Sequence, residues 1–179
     1  MIKPVFETER LIVREYTVDD APAMFDIYKD PEVWRYLAGG DPYTSVGQAR
    51  ERIELRIQRY RERAPYGLWA VVVRDTAQLI GSVLLSPLED GPDVEVGYHF
   101  GRFAWGNGYA TEVTRGAIRY GFDVLGLPSI CGVVFRENVA SQRVLEKAGM
   151  AFRGVRSVFG FDGIMYYTID SPTHGDQPG

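Results

Sequence analysis

Cysteine is nearly missing from this chain: Cys131 is the single one among 179 residues. One thiol forms no internal disulfide and supplies no Cys-rich zinc site. Histidine is scarce too, at His99 and His174 only, so no metal is expected. Basic charge is not in excess. Lys and Arg number 20 against 24 Asp and Glu, for a net charge of -4. That is not the balance of a nucleic-acid-binding surface, and it mildly favours a cationic partner or none in particular. Long apolar runs are lacking as well. The longest, such as Leu68 to Val73, fall far short of the ~18 residues a membrane span needs. No N-terminal stretch joins a basic region to an apolar run, so no signal peptide is read. A cytoplasmic, soluble protein is the default expectation, and the length suits one domain.

Glycine, by contrast, is plentiful: 20 residues, about 11% against a usual ~7%. With no G-X-Y period, these glycines are expected to mark turns and places where the backbone approaches something closely.

Alternation marks Leu11 to Tyr16 as a half-buried strand. Thr17 and Asp20 have capping-box spacing, opening a helix to about Lys29 with Ala21, Met24, Ile27 and Tyr28 on its core side. Asp30-Pro31 starts a second short helix. Thr44 or Ser45 caps a longer one to about Arg63, with Val46, Ala49, Ile53, Ile57 and Tyr60 inward. Its charged faces read as solvated. Strands follow over Leu68 to Arg74, Leu79 to Leu88 and Val94 to Phe100. A helix from Gly106 to Leu125, with Ala110, Val113, Ala117, Tyr120 and Val124 on its core side, leads to a strand from Ser129 to Phe135. A short helix from Asn138 to Lys147 precedes a final hairpin turning about Asp162-Gly163, and a polar tail covers 171–179. Helices that interrupt strands without strict alternation imply a mixed α+β sheet.

The densest glycine group runs from Gly97 to Ala110 and lies between a strand and a helix. Amides at a helix start lack internal partners, and the dipole there favours an anion. Small residues at Gly106, Gly108 and Ala110 let that backbone approach a phosphate. A plain strand-to-helix turn is the alternative. A Walker A loop would end in Gly-Lys-Ser or Gly-Lys-Thr, where this chain has Gly-Tyr-Ala-Thr. A dinucleotide fingerprint would need a third glycine where Thr111 stands.

The segment Trp105-Gly106-Asn107-Gly108-Tyr109-Ala110-Thr111-Glu112 resembles the acyl-CoA pyrophosphate loop of the GNAT N-acetyltransferase superfamily, written Q/R-x-x-G-x-G/A. Trp105 replaces the Gln or Arg, as in the branch that acetylates ribosomal-protein N-termini. Thr8 to Arg14, Asp30 to Val33, Val94 to Tyr98 and Asn138 to Met150 resemble further segments of that branch, in its order, from about residue 7 to 170. The resemblance implies one GNAT domain over 7–170, with a mostly antiparallel sheet, flanking helices and a V-shaped cleft between the strands ending at Phe100 and Phe135.

It also implies acetyl-CoA as cosubstrate. Pantetheine is expected along Phe100, Gly101 and Arg102, and pyrophosphate on the amides of Gly106, Asn107, Gly108, Tyr109, Ala110 and Thr111. Asn138 is expected to reach the cofactor or to cap its helix. The implied reaction is direct transfer of an acetyl group to a primary amine, on a peptide N-terminus or a small molecule. Val94, Val96, Tyr98 and Phe100 share one strand face, and Glu95, Gly97 and His99 the other. Glu95 is therefore placed for the base, directly or through water, with an ordinary sheet-face carboxylate as the alternative. His99 reads as structural. Many superfamily members carry a Tyr acid where this chain has Leu145. Ser141, four residues earlier, matches the branch's serine, which holds the departing sulfur. An acceptor pocket is expected from Trp34, Tyr36, the loop from Leu37 to Tyr43 and the hairpin around Phe159 to Ile164. No direct nucleic-acid or membrane partner is implied, and a homodimer fits the pattern. Competing readings are a non-catalytic acyl-CoA-binding module, a succinyl-CoA transferase and a nucleotide-binding protein.

Overall fold

A computed structural model describes residues 3–37, 39–89 and 91–172. Its strands are β1 (Pro4–Glu7), β2 (Leu11–Arg14), β3 (Gly67–Val73), β4 (Leu79–Pro87), β5 (Val94–Phe100), β6 (Ser129–Val134), β7 (Ala151–Val158) and β8 (Phe161–Asp170). They form one sheet in the order β1-β2-β3-β4-β5-β6-β8-β7. All neighbours are antiparallel except β5 and β6. A parallel pair needs a long crossover, and the helix α4 (Tyr109–Asp123) supplies it. The remaining helices are α1 (Ala21–Tyr28), α2 (Pro31–Trp34), α3 (Val46–Arg63) and α5 (Val139–Lys147).

Because side chains alternate across a strand, β3 feeds two cores. Trp69 and Val71 join Leu11, Val13, Val83, Val96, Val113, Ala117 and Leu145 on the α4–α5 face. Ala70 and Val72 join Met24, Ile27, Tyr28, Ala49 and Ile53 on the α1–α3 face. Burial on both sides explains why Leu68 to Val73 reads as a continuous apolar run. No helix among the described residues is long and apolar enough to cross a membrane.

The entry to α1 is fixed as its spacing implies. The Asp20 carboxylate accepts the Thr17 amide at 2.8 Å and takes two bonds from Arg14, each 2.7 Å. That bidentate pair holds the Asp20 carboxyl below its usual range against the opposing effect of burial. Ser45, not Thr44, caps α3 by accepting from the Gln48 amide at 3.1 Å.

Several local expectations are corrected. Val46, at the first position of α3, is exposed, and so is Val124. The buried stripe of α4 is Val113, Thr114, Ala117, Ile118 and Gly121. Val124 falls just beyond the last turn. This helix also starts later than expected, at Tyr109, after a short 3₁₀ turn over Arg102–Ala104.

The last hairpin turns at Phe159-Gly160, whose φ values are 54° and 77°, with Val158 opposite Phe161. Positive φ at both central residues is the geometry of the tight hairpin turn. Asp162 and Gly163 instead sit opposite Ser157 alone, between the pairs Arg156–Ile164 and Val158–Phe161. They form a bulge, for which Gly163 adopts φ 74°. At the start of the expected tail, Ser171 is buried and its amide bonds the Pro128 carbonyl at 2.9 Å. Residues 173–179 lie outside the described residues.

Candidate active site

The parallel pair β5–β6 touches at one ladder position, Glu95 opposite Cys131. Beyond it the strands diverge, and a cavity of about 720 Å³ opens. The expected V-shaped gap is thus present, walled by β5, β6 and α5. Its other end is lined by Trp34, Tyr36, Leu37, Phe159, Phe161 and Ile164, residues of the segments expected to hold an acceptor.

The loop from β5 to α4 is built from backbone. Gly101 is buried and uses both of its main-chain groups: its amide bonds the Ile80 carbonyl at 3.0 Å, and its carbonyl accepts the Ala104 amide at 2.8 Å. The Arg102 carbonyl likewise accepts the Trp105 amide, at 3.2 Å. Trp105 turns its indole Nε1 onto the Phe100 carbonyl at 2.9 Å, which is where the side chain replacing the family's Gln or Arg goes. Gly106 and Gly108 both adopt left-handed backbone, with φ near 76° and 77°. A β-carbon is strained in that region. Asn107 donates Nδ2 to the carbonyls of Ala104 and Trp105, each at 3.1 Å.

The first ladder bond of α4 runs from the Glu112 amide to the Gly108 carbonyl at 3.1 Å. The amides of Tyr109, Ala110 and Thr111 therefore lie ahead of the helical ladder, at its positive end. The far side of the loop is clasped by the N-terminal strands. Arg10 bonds Glu112 at 2.7 Å and the Asn107 carbonyl at 3.1 Å, and Thr8 bonds Glu112 at 2.6 Å. These contacts hold the Glu112 carboxyl below its usual range against the opposing effect of burial.

Of the expected cofactor residues, Phe100, Gly106, Ala110 and Asn138 line the cavity. Asn107, Gly108, Tyr109 and Thr111 belong to the same loop and first helical turn without lining it. The Arg102 guanidinium points away and pairs with Asp30 at 2.9 Å. Asn138 caps α5, its Oδ1 accepting the Ser141 amide at 3.1 Å.

Glu95 and Ser141 both line the cavity. Burial alone pushes the Glu95 carboxyl up to about 7. The Ser141 carbonyl accepts from the Tyr98 hydroxyl at 3.3 Å, and burial pushes that phenol up to about 12. Leu145 is a core side chain, and its methyls lie 3.0 Å from where a β-carbon at Gly132 would stand. His99 shares the face of Glu95. Burial and the nearby Arg56 push it down to about 4, so the ring is neutral at ordinary pH. Its Nδ1 sits 3.3 Å from the Tyr28 hydroxyl, which lies 2.9 Å from Ser82 Oγ. The Tyr16 hydroxyl completes the group at 2.5 Å from that Oγ. No group of three or more metal-ligating side chains gathers among the described residues.

Sequence reading missed Tyr98 and Arg56. Arg56 was hidden in a face that reads as solvated. Its spacing of three from Ile53 and four from Tyr60 places it on the inward stripe, and that was the available signal.

Comparison with known proteins gives a consistent outcome. The model of an acetyltransferase (GNAT) domain matches residues 10–151. The uncharacterized N-acetyltransferase YoaA of Bacillus subtilis (strain 168) is 39% identical over 153 residues, covering 85% of each chain. Among solved structures, a GNAT-family acetyltransferase from Bacillus anthracis superposes with a TM-score of 0.77 at 23% identity, over 92% of this chain and 97% of that one. The ribosomal L7/L12 alpha-N-protein acetyltransferase RimL, in complex with coenzyme A, gives 0.77 at 14% identity, over 96% and 98%. The chain belongs to the acetyltransferase (GNAT) family and is an acetyl-CoA-dependent acyltransferase.

Proposed function

We propose that this GNAT acyltransferase moves an acetyl group from acetyl-CoA to a primary amine by direct attack, with Glu95 as the base. The loop fits the donor's pyrophosphate: two left-handed glycines bring the amides of Tyr109, Ala110 and Thr111 to one small surface. Gly106, Asn107 and Gly108 complete that surface, while Phe100, Arg102 and Asn138 border the arm leading to the cavity. When bound, acetyl-CoA supplies an activated acyl carbon and a thiolate leaving group.

The observation that carries the reading is Glu95 itself. It is a half-buried carboxylate on the cavity wall, without an ion-pair partner among the described residues and held near neutral by burial. A base works best when its pKa lies near the working pH. His99, held near 4, is far weaker in that role, and it is tied to Tyr28. The amine nitrogen gives its proton to Glu95 and forms the new C–N bond as the C–S bond breaks. Ser141, in the first turn of α5, directs its hydroxyl to the departing sulfur. A serine is a poor acid at neutral pH, so its task is to hydrogen-bond the thiolate.

The test is a screen of small amines and N-terminal peptides for CoA release from acetyl-CoA. Release that depends on the amine is expected. Measurable acetyl-CoA binding with no release across the panel would instead make the chain a non-catalytic binding module.

A further inference from the structure

Arg56 has no counterion among the described residues. It reaches from α3 to the cavity wall and is half-buried. Among the described residues no carboxylate pairs with it. Its companions are the rings of Tyr16 at 5.1 Å and Tyr28 at 5.5 Å, with Met24 Sδ at 3.6 Å. Burial raises the Tyr16 and Tyr43 phenols, so they bring no negative charge at neutral pH. Aromatic faces attract a guanidinium and the Tyr28 hydroxyl bonds it as well, but neither supplies a counter-charge, and a buried cation without an acid is costly.

The other charged groups on the cavity wall do not answer it. Glu32 is paired with Arg35 at 3.4 Å. Glu95 lies four residues from His99, and His99 feels the Arg56 charge. Four strand residues span ~13 Å. Burial alone acts on Glu95, so Arg56 belongs to the His99 end of the strand and does not pair with Glu95.

We propose that Arg56 binds a carboxylate carried by the acceptor, which makes the acceptor a zwitterion with its amine at Glu95 and its carboxylate on Arg56. The inference rests on the amine-acetylating reading above and narrows it. A polyamine has no group for Arg56.

The test compares amino acids, di- and tripeptides as free acids and as C-terminal amides, following CoA release. A hydrogen-bonded charge is worth about 10- to 100-fold, so the best acid is expected to exceed its amide by at least ~10-fold in kcat/KM, carried mainly by KM. In Arg56→Met that preference collapses towards unity, while Arg56→Lys keeps part of it. Thermal melts establish that both variants are folded, and the wild-type comparison needs no variant at all. Equal use of acids and amides by the wild type overturns the inference and leaves the reaction standing. A preference that survives in a folded Arg56→Met overturns it too. Absence of release from every amine overturns both.

Discussion

Replacing Glu95 with glutamine tests the base through two independent readouts. The first is stability. Burial raises this carboxyl from 4.5 to about 7. Between those values the folded chain keeps a proton that the unfolded chain has released, so stability falls as pH rises through the window. The shift corresponds to about 3 kcal/mol, absent below the unfolded value and fully felt above the folded one. Glutamine has no such proton. The stability of Glu95→Gln relative to wild type is therefore expected to rise by about 3 kcal/mol between pH 4 and pH 8, measured by urea unfolding. The second readout is turnover. Loss of a general base costs about 10²- to 10⁴-fold, with little change in acetyl-CoA affinity. Wild-type kcat/KM is expected to climb with pH through about 7, followed by a second limb set by the acceptor amine. Two acceptors of different basicity separate the limbs, because only the second one moves. A Glu95→Gln enzyme that retains its rate within about threefold and keeps the limb near 7 would refute the assignment.

Gly108→Val puts a β-branched residue at φ 77°, with its β-carbon 3.6 Å from the Arg10 guanidinium, and so distorts the loop that presents the anion-binding amides. Acetyl-CoA affinity by calorimetry is expected to fall by tenfold or more, alongside a stability loss of about 1–3 kcal/mol, and unchanged affinity would sink the loop assignment. Ser141→Ala should lower kcat by about 5- to 30-fold through a lost hydrogen bond to sulfur without changing acetyl-CoA binding, as single-turnover and equilibrium measurements would show. Asp20→Asn strands Arg14 and should cost about 3 kcal/mol at neutral pH. Because the Asp20 carboxyl is depressed in the fold, that difference should shrink as pH falls below the normal carboxylate range. A pH-independent difference would show the pair contributes nothing electrostatically.

The local grammar was legible where one residue decides one feature. Strand alternation set β5 at Val94–Phe100, and the Thr17–Asp20 spacing marked the start of α1. The Gly106–Ala110 loop stood out because left-handed backbone needs glycine. Asp162-Gly163 misled because a bulge and a tight turn use the same chemistry, and only the register of β7 on β8 distinguishes them. The insertion of β8 between β6 and β7 depends on long-range pairing that no window of sequence records. Arg56 was obscured by its charged neighbours on α3. What it faces is decided by α1 and β5, far away in the chain. Trp105 could be read as a departure from a motif, but not as a brace onto Phe100.

The single contact between β5 and β6 has a mechanical meaning. The chain is two leaves of sheet, β1 to β5 and β6 to β7, hinged at Glu95 and Cys131. Beyond the hinge, Val96 to Phe100 has no strand on its inner side, so the protein carries a sheet edge within itself. Open edges are the places where foreign strands add on. An arm of amides laid between the leaves closes that edge as an added strand would, and amide exchange along it should slow on donor binding. With the donor's arm lying as proposed, a chain without acetyl-CoA is one that leaves this stretch of backbone uncovered.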